Sequence, residues 1–380
     1  MNSRKKNLLV IPSLFPRNKT DITGIFTWDY IESVKAHCQV TVFHMKVFGV
    51  PGLHKSIENE VEVYRYALLS SNSFLKPITA LLYFVLIIKS KRIVLKHCSP
   101  NLVHAHGLAI CGLLAVLVGN QLKIPVLVTE HSRVKKLGKS NVLMLLAKYV
   151  IKRINCFLTV SNDLAVQFKD ASLIPKKSVV TFNPVNTTLF VPSQTELNTS
   201  LKNIIFVSRL VHYKRCDKVV ESFLRIFNDH PDWTLTIIGS GPEDEAINKL
   251  KINGGIGGSA IRLLGKRTKE EIAKEMQQAS FLIHPSEHET FGIVIAEAMS
   301  CGLPVIASKY TAPKEYVTED CGILIDPFSD AEIENSMRKL ITSYKNYDSK
   351  KIRNKVVENF GFESFGNKLN ALYESELKSN

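Results

Sequence analysis

No apolar run in this 380-residue sequence reaches the roughly 20 residues needed to cross a bilayer as a helix, so no membrane-spanning segment is expected. The seven cysteines, Cys38, Cys98, Cys111, Cys156, Cys216, Cys301 and Cys321, form no Cys-x-x-Cys pair and sit at no zinc-site spacing with histidine. That scatter excludes a disulfide framework and fits reduced, mostly buried thiols in the cytosol. The N-terminal MNSRKKNLLVIPSLFP has a basic cluster, but its apolar run is short and no small-residue cleavage site follows, so it reads as a first strand and not a signal peptide. HExxH, a Walker-type lysine loop and an Asp-x-Asp pair are missing too, which removes zinc peptidases, P-loop enzymes and a carboxylate clamp for a metal-bound diphosphate. GSGPED (239–244) follows an apolar run, yet Asp244 stands where the third glycine of GxGxxG belongs, which disfavours a dinucleotide-dependent dehydrogenase.

What is present is an uneven charge. Residues 1–190 hold 25 Lys and Arg against nine Asp and Glu, a net +16, whereas residues 191–380 hold 24 against 26, a net −2. A basic half-molecule implies a polyanionic partner: nucleic acid, an anionic membrane surface or a phosphorylated lipid. No zinc finger, RNP-type aromatic signature or helix-turn-helix pattern accompanies the charge, so nucleic acid is not expected. In FLKPITALLYFVLIIKSKRIVLKHC, residues 78–88 are nearly all apolar, and Lys89, Lys91, Arg92 and Lys96 follow. Such a segment suits a helix buried between two strands, or one lying at a membrane surface with its lysines on anionic headgroups.

The length and the 45% hydrophobic content allow two domains, each with its own core. Strand-like and helical runs alternate from NLLVIPSLF to SVVTFNP, pause at a polar linker over 184–203, and restart with NIIFVSRL. Both halves therefore read as doubly wound α/β domains, in which ligands sit at the C-terminal ends of the strands. GGIGG (254–258) reads as a flexible loop.

The segment PSEHETFGIVIAEAMSCGLPVIAS (285–308) places Glu289 and Glu297 eight residues apart, the first just before a helix closed by Gly302, the second inside it. The amides of Phe291, Gly292 and Ile293 fall at the helix start, where hydrogen bonding and the helix dipole favour a phosphate. A carboxylate beside that pole can accept hydrogen bonds from sugar or ribose hydroxyls. Without a metal, a leaving diphosphate needs cations and amides. VSRLVHYKRCDKVV offers Arg209 at a strand end and Lys214 at the start of the next helix, whereas Arg215 reads as a solvated charge.

Arg209 with Lys214, then IGSGPE, LLGKRTKEEI and HETFGIVIAEAMSCGLPVIAS, resemble in order and spacing the donor-binding half of retaining glycosyltransferases of family 4, with the GT-B fold. Weaker similarities extend through the first half: DITGIFTWDYIESV to the family's glycine loop, NLVHAHG and VTEHSR to strand ends facing the site, and GFESFGNKLNALYESEL to the helix that returns to the first domain. The resemblance implies two doubly wound Rossmann-like domains facing a central cleft. An acceptor-binding domain is expected over 1–190, completed by a C-terminal helix over 362–380, and a donor-binding domain over 200–361. It also implies that Arg209 and Lys214 hold the donor diphosphate, Glu289 the sugar hydroxyls and Glu297 the ribose, with Lys266 and Arg267 near the base. Gly24 would lie near the phosphates, His106 near the reacting sugar, and Glu130 and His131 on the acceptor side. The family's EGFG reads Glu289-Thr290-Phe291-Gly292 here, which leaves the carboxylate in place and opens the sugar preference.

The implied activity is sugar transfer, with retention, from a UDP- or GDP-sugar to a hydroxyl of a glycan or polyprenyl-diphosphate-linked acceptor in surface polysaccharide synthesis. No cofactor or metal is expected, and the location implied is the cytoplasm at the inner membrane face. A nucleotide-sugar epimerase or a phosphorylase on the same fold is the alternative. A glycosidase using Glu289 and Glu297 as acid and nucleophile leaves Arg209 and Lys214 unexplained.

Overall fold

A computed structural model describes residues 6–17, 24–70, 79–193 and 202–379. Most of the N-terminal basic cluster, the start of the apolar-basic segment and the polar centre of the expected linker lie outside these residues. The chain divides into two units, Met1–Pro184 with Phe365–Asn380, and Val185–Ser364. Residues 185–190, expected in the first domain, belong to the second. The Val185 amide donates to the Phe360 carbonyl (2.8 Å), and the Phe190 carbonyl accepts from Ser300 Oγ (2.6 Å) and Arg353 Nη1 (2.9 Å).

The first unit runs β1 (Lys6–Pro12), α1 (Ile25–Val34), β2 (Cys38–Gly49), β3 (Gly52–Glu58), β4 (Val61–Ser70), α2 (Thr79–His97), β5 (Leu102–His106), α3 (Ile110–Leu122), β6 (Val126–Glu130), α4 (Asn141–Ile151), β7 (Cys156–Thr159), α5 (Asn162–Asp170) and β8 (Ser178–Val180). Its sheet has the order β3-β4-β2-β1-β5-β6-β7-β8. Central β5 is buried along its length and β1 from Leu8 onward, as parallel strands covered on both faces must be. Among the described residues the one antiparallel pair is β3 with β4, a hairpin that the sequence reading did not anticipate. Asn59 and Glu60 make its two-residue turn with φ of 46° and 68°, between the paired Glu58 and Val61.

The second unit runs β9 (Asn203–Val207), α6 (Cys216–Phe227), β10 (Thr234–Ile238), α7 (Asp244–Asn253), α8 (Gly255–Ser259), β11 (Ile261–Gly265), α9 (Lys269–Met276), β12 (Phe281–His284), α10 (Ile293–Ser300), β13 (Val305–Ser308), β14 (Gly322–Ile325), α11 (Asp330–Ser343) and α12 (Ser349–Phe360). The sheet is parallel, ordered β11-β10-β9-β12-β13-β14, over a core that includes Phe206, Phe223 and Phe281. GGIGG forms the short helix α8 and not a loop. A Cβ on Gly258 would sit 1.9 Å from the Lys251 carbonyl oxygen, so the glycine lets α8 press against α7. The last helix, α13 (Phe362–Lys378), belongs almost wholly to the first unit. There Lys6 Nζ donates to Asn370 (2.8 Å) and Glu374 (2.9 Å), and Phe365 meets Tyr30 edge to face at 4.8 Å.

Candidate active site

In the second unit the predicted residues gather at the C-terminal edge of the sheet, beyond β9, β10 and β12. Glu289 lies just past β12, and one of its carboxylate oxygens, Oε1, meets both Lys214 Nζ and His284 Nε2, the latter at 2.6 Å. His284, the last residue of β12, is buried and donates from Nε2, with its ring stacked 5.8 Å from Phe206. Burial alone would push the Glu289 carboxyl up. Lys214 and His284 outweigh it and hold the group at about 2, so Glu289 is a carboxylate at neutral pH. His284 is lowered chiefly by burial, against the pull of Glu289.

Glu297 lies inside α10, buried, with Lys269 Nζ 3.8 Å from its Oε1. The helix starts on Gly292 at φ 82°, and the Tyr316 hydroxyl donates to the carbonyls of Phe291 (2.8 Å) and Gly292 (3.1 Å). Phe291 is wedged against Tyr316 and Phe360, each at 5.3 Å. These contacts fix where the first amides of α10, those of Gly292 and Ile293 among them, point. The two GSGPED glycines have a packing role. A Cβ on Gly239 would fall 1.6 Å from the Ser208 oxygen, and one on Gly241 would fall 2.0 Å from the Leu210 oxygen. They let the loop after β10 close on the segment that presents Arg209, whose side chain is exposed. Lys266 is also exposed, while Arg267 turns back onto its own chain, donating to the Lys266 carbonyl at 3.0 Å.

In the first unit Gly24, at φ 75°, opens α1. A Cβ there would lie 2.4 Å from the Leu14 carbonyl carbon. His106 ends β5, buried, and shares a 2.9 Å hydrogen bond between its Nδ1 and His131 Nε2. The rings of His104, His106 and His131 stack at 4.7 and 5.2 Å, with Tyr30 edge-on to them. Burial holds His106 at about 3 and the other two well below the usual histidine range, so the stack is neutral. The Glu130 carboxylate accepts from the amides of Leu108 (2.9 Å), His131 (3.0 Å) and Ser132 (2.9 Å), and so anchors its loop. It also lines a cavity of about 490 Å³ together with Lys46, Tyr83, Leu108, Lys136 and Leu143.

The sequence reading missed His284 and Lys269, the partners of the two glutamates. For His284 a signal existed: a histidine closing the apolar run FLI at the end of a buried parallel strand. Arg215, read as solvated, is half-buried and ion-paired to Glu287 at 2.8 Å.

Two doubly wound α/β units with charged residues at the strand ends define a ligand-binding architecture, and comparison with known proteins specifies the family. Residues 27–189 match the model described as Glycosyltransferase Family 4, and residues 190–359 match that described as Glycosyl transferases group 1. The chain belongs to glycosyltransferase family 4, has the GT-B fold, and is a glycosyltransferase. It is 24% identical over 83% of its length to an uncharacterized glycosyltransferase of Methanocaldococcus jannaschii, 86% of which is covered. It is 25% identical over 66% of its length to the phosphatidylinositol N-acetylglucosaminyltransferase gpi3 subunit of Schizosaccharomyces pombe, of which 55% is covered. Among solved structures, Anabaena HepE in complex with UDP superimposes with a TM-score of 0.74 at 16% identity, over 97% of this chain and 100% of that one.

Proposed function

We propose that this protein transfers a sugar, with retention, from a UDP- or GDP-sugar to a hydroxyl of a lipid-linked glycan. The expected setting is the assembly of surface polysaccharide, with a polyprenyl-diphosphate carrier. The observation that carries the donor reading is the Lys214, Glu289 and His284 cluster. A half-buried carboxylate kept ionised beside a cation at the sheet's C-terminal edge is suited to accept sugar hydroxyls while the cation faces phosphate. Arg209, Lys214 and the first amides of α10 would stabilise charge on the departing diphosphate, and Glu297 would accept from the ribose. With that charge met by side chains and amides, no resident metal is required. The acceptor hydroxyl attacks from the face the diphosphate leaves, and a phosphate oxygen takes its proton. That HepE is described in complex with UDP supports the nucleotide.

The lipid-linked acceptor is supported by the surface of the first unit. Leu81, Phe84, Val85 and Ile88 lie on one face of α2 and are 38–63% exposed, and Arg92 and Lys96 continue that face. Val142, Leu145 and Tyr149 do the same on α4, ahead of Lys152 and Arg153. Tyr83 of α2 and Leu143 of α4 both line the 490 Å³ cavity. Among the described residues no helix is long and apolar enough to cross a membrane. Exposed apolar rows that turn basic suit insertion into the headgroup boundary on the cytoplasmic side. A phosphatidylinositol-directed relative is consistent with a lipid acceptor.

The decisive experiment screens UDP-, GDP- and ADP-sugars for donor hydrolysis and thermal stabilisation, with and without a chelator. The proposal expects one donor to stabilise the protein and turn over with chelator present. Turnover that survives Glu289→Ala with Lys214→Ala, or that a chelator abolishes, overturns it.

A further inference from the structure

Beyond the donor cluster, the C-terminal edge of the second sheet carries three exposed aromatic rings, each backed by a cation. Lys214 Nζ lies 5.8 Å from the ring of Tyr213, the Arg215 guanidinium 5.3 Å from that of Phe328, and Lys309 Nζ 5.4 Å from that of Tyr310. The rings are 38%, 58% and 51% exposed, although aromatics of this size are ordinarily covered. They follow adjacent strands: Tyr213 and Arg215 come after β9, Glu287 and His288 after β12, Tyr310 after β13 and Phe328 after β14.

The row is held in place by its own contacts. Asp326 accepts from the Tyr310 hydroxyl (2.7 Å) and the Phe328 amide (2.9 Å). The Glu287 amide donates to the Tyr213 carbonyl (2.9 Å), and the His288 ring lies tilted 5.7 Å from the Tyr213 ring. Tyr310 and Phe328 lie 6.5 Å apart, tilted by 33°. Arg215 adopts φ 58°, a region that favours glycine and costs a branched or long residue about 1 kcal/mol. An arginine placed there carries a side chain that glycine would lack.

We infer that this row is a binding site for the sugar rings of a neutral glycan, running outward from the donor-sugar carboxylate Glu289. Each cation already has an acidic partner: Lys214 with Glu289, Arg215 with Glu287, and Lys309 with Glu332 at 3.2 Å. Lys214 is committed to the donor phosphates, and outward from it Arg215 and Lys309 are each paired, so that part of the row offers no surplus positive charge to a polyanion or a membrane. Flat apolar faces alternating with paired charges suit pyranose rings, whose C–H faces stack on aromatics while their hydroxyls bridge donors and acceptors. The inference deepens the proposed function by giving the acceptor glycan a subsite on the donor-binding unit.

The test uses the full-length protein and neutral gluco-, manno- and galacto-oligosaccharides, from monosaccharide to hexasaccharide, measured by calorimetry and ligand-detected NMR. Affinity should rise about tenfold from monosaccharide to trisaccharide for at least one series. That rise should vanish in Phe328→Ala and Tyr310→Ala, while thermal stabilisation by UDP is unchanged. Arg215→Gly should lose the length dependence while UDP still raises its melting temperature as it does the parent's, an outcome that a purely structural role would not give. If no oligosaccharide binds, if affinity is independent of length, or if the variants bind as the parent does, the inference is overturned. Failure of UDP to stabilise the parent counts against the donor reading and leaves the oligosaccharide result to stand by itself.

Discussion

Glu289 has two partners on one oxygen, and that makes its protonation state a structural quantity. Its carboxyl is held at about 2 against an ordinary 4.5, so the contribution of the cluster to stability is complete above about pH 4.5 and is lost as the pH falls toward 2. Glu289→Gln keeps the shape and removes the charge. Donor turnover should fall by about 100-fold while UDP still raises the melting temperature, and steady-state kinetics with paired thermal shifts would show the split. Equal loss of both would mean the residue is architectural. Gly292 is a second sensitive point. A Cβ at φ 82° would stand 3.1 Å from both Ile295 Cδ1 and Pro313 Cγ, so Gly292→Ala should cost about 1–2 kcal/mol in urea unfolding. The glutamates and Gly292 were legible in the sequence because spacing and helix punctuation expose them. Of their partners, His284 had a signal in its place at the end of an apolar run, whereas Lys269 had none, because its contact with Glu297 joins residues that no periodicity links.

At the scale of elements, α2 has two apolar faces with different uses. Leu82, Leu86 and Ile87 are buried against the first unit, while Leu81, Phe84, Val85 and Ile88 face out. The sequence reading left a buried helix and an interfacial one open, and the element carries features of both. Replacing Phe84 and Ile88 with serine should leave the core intact and reduce sedimentation with vesicles containing anionic lipid by about tenfold, and the binding that remains should weaken with salt. Binding that ignores lipid charge, or is unchanged in the double variant, would sink the membrane reading. The parallel strands were readable from their apolar runs, but the β3 and β4 hairpin was not. Its turn has positive φ at both central residues, where Asn-Gly is the usual signature, and here glutamate occupies the second place. The C-terminal return was legible only through the resemblance, since nothing local to α13 marks the Tyr373 hydroxyl as the partner of His104 at 2.6 Å.

Taken as a whole, the described residues include five histidines whose surroundings set the response to acid: His44, His104, His106 and His284 are buried, and His131 is half-buried within the strand-end stack. All five are depressed, chiefly by burial, with His44 and His106 at about 3. His44 and His106 take up a proton below about pH 6.5 in the unfolded chain but not in the folded one, so stability declines as pH falls from there, by about 1.4 kcal/mol per pH unit for each of the two, and the other three act in the same direction. Glu130, raised by its burial, opposes the trend over the lower part of that range. His44 isolates one contribution, because it lies away from the strand-end stack and its Nε2 is buried without a partner. His44→Leu removes one titrating group and one unsatisfied nitrogen. Urea unfolding at pH 7, 6 and 5 should show a higher midpoint at every pH, with the slope against pH reduced by one residue's share. A slope identical to the parent's would mean that His44 takes up its proton over the same pH range in the folded and unfolded chains.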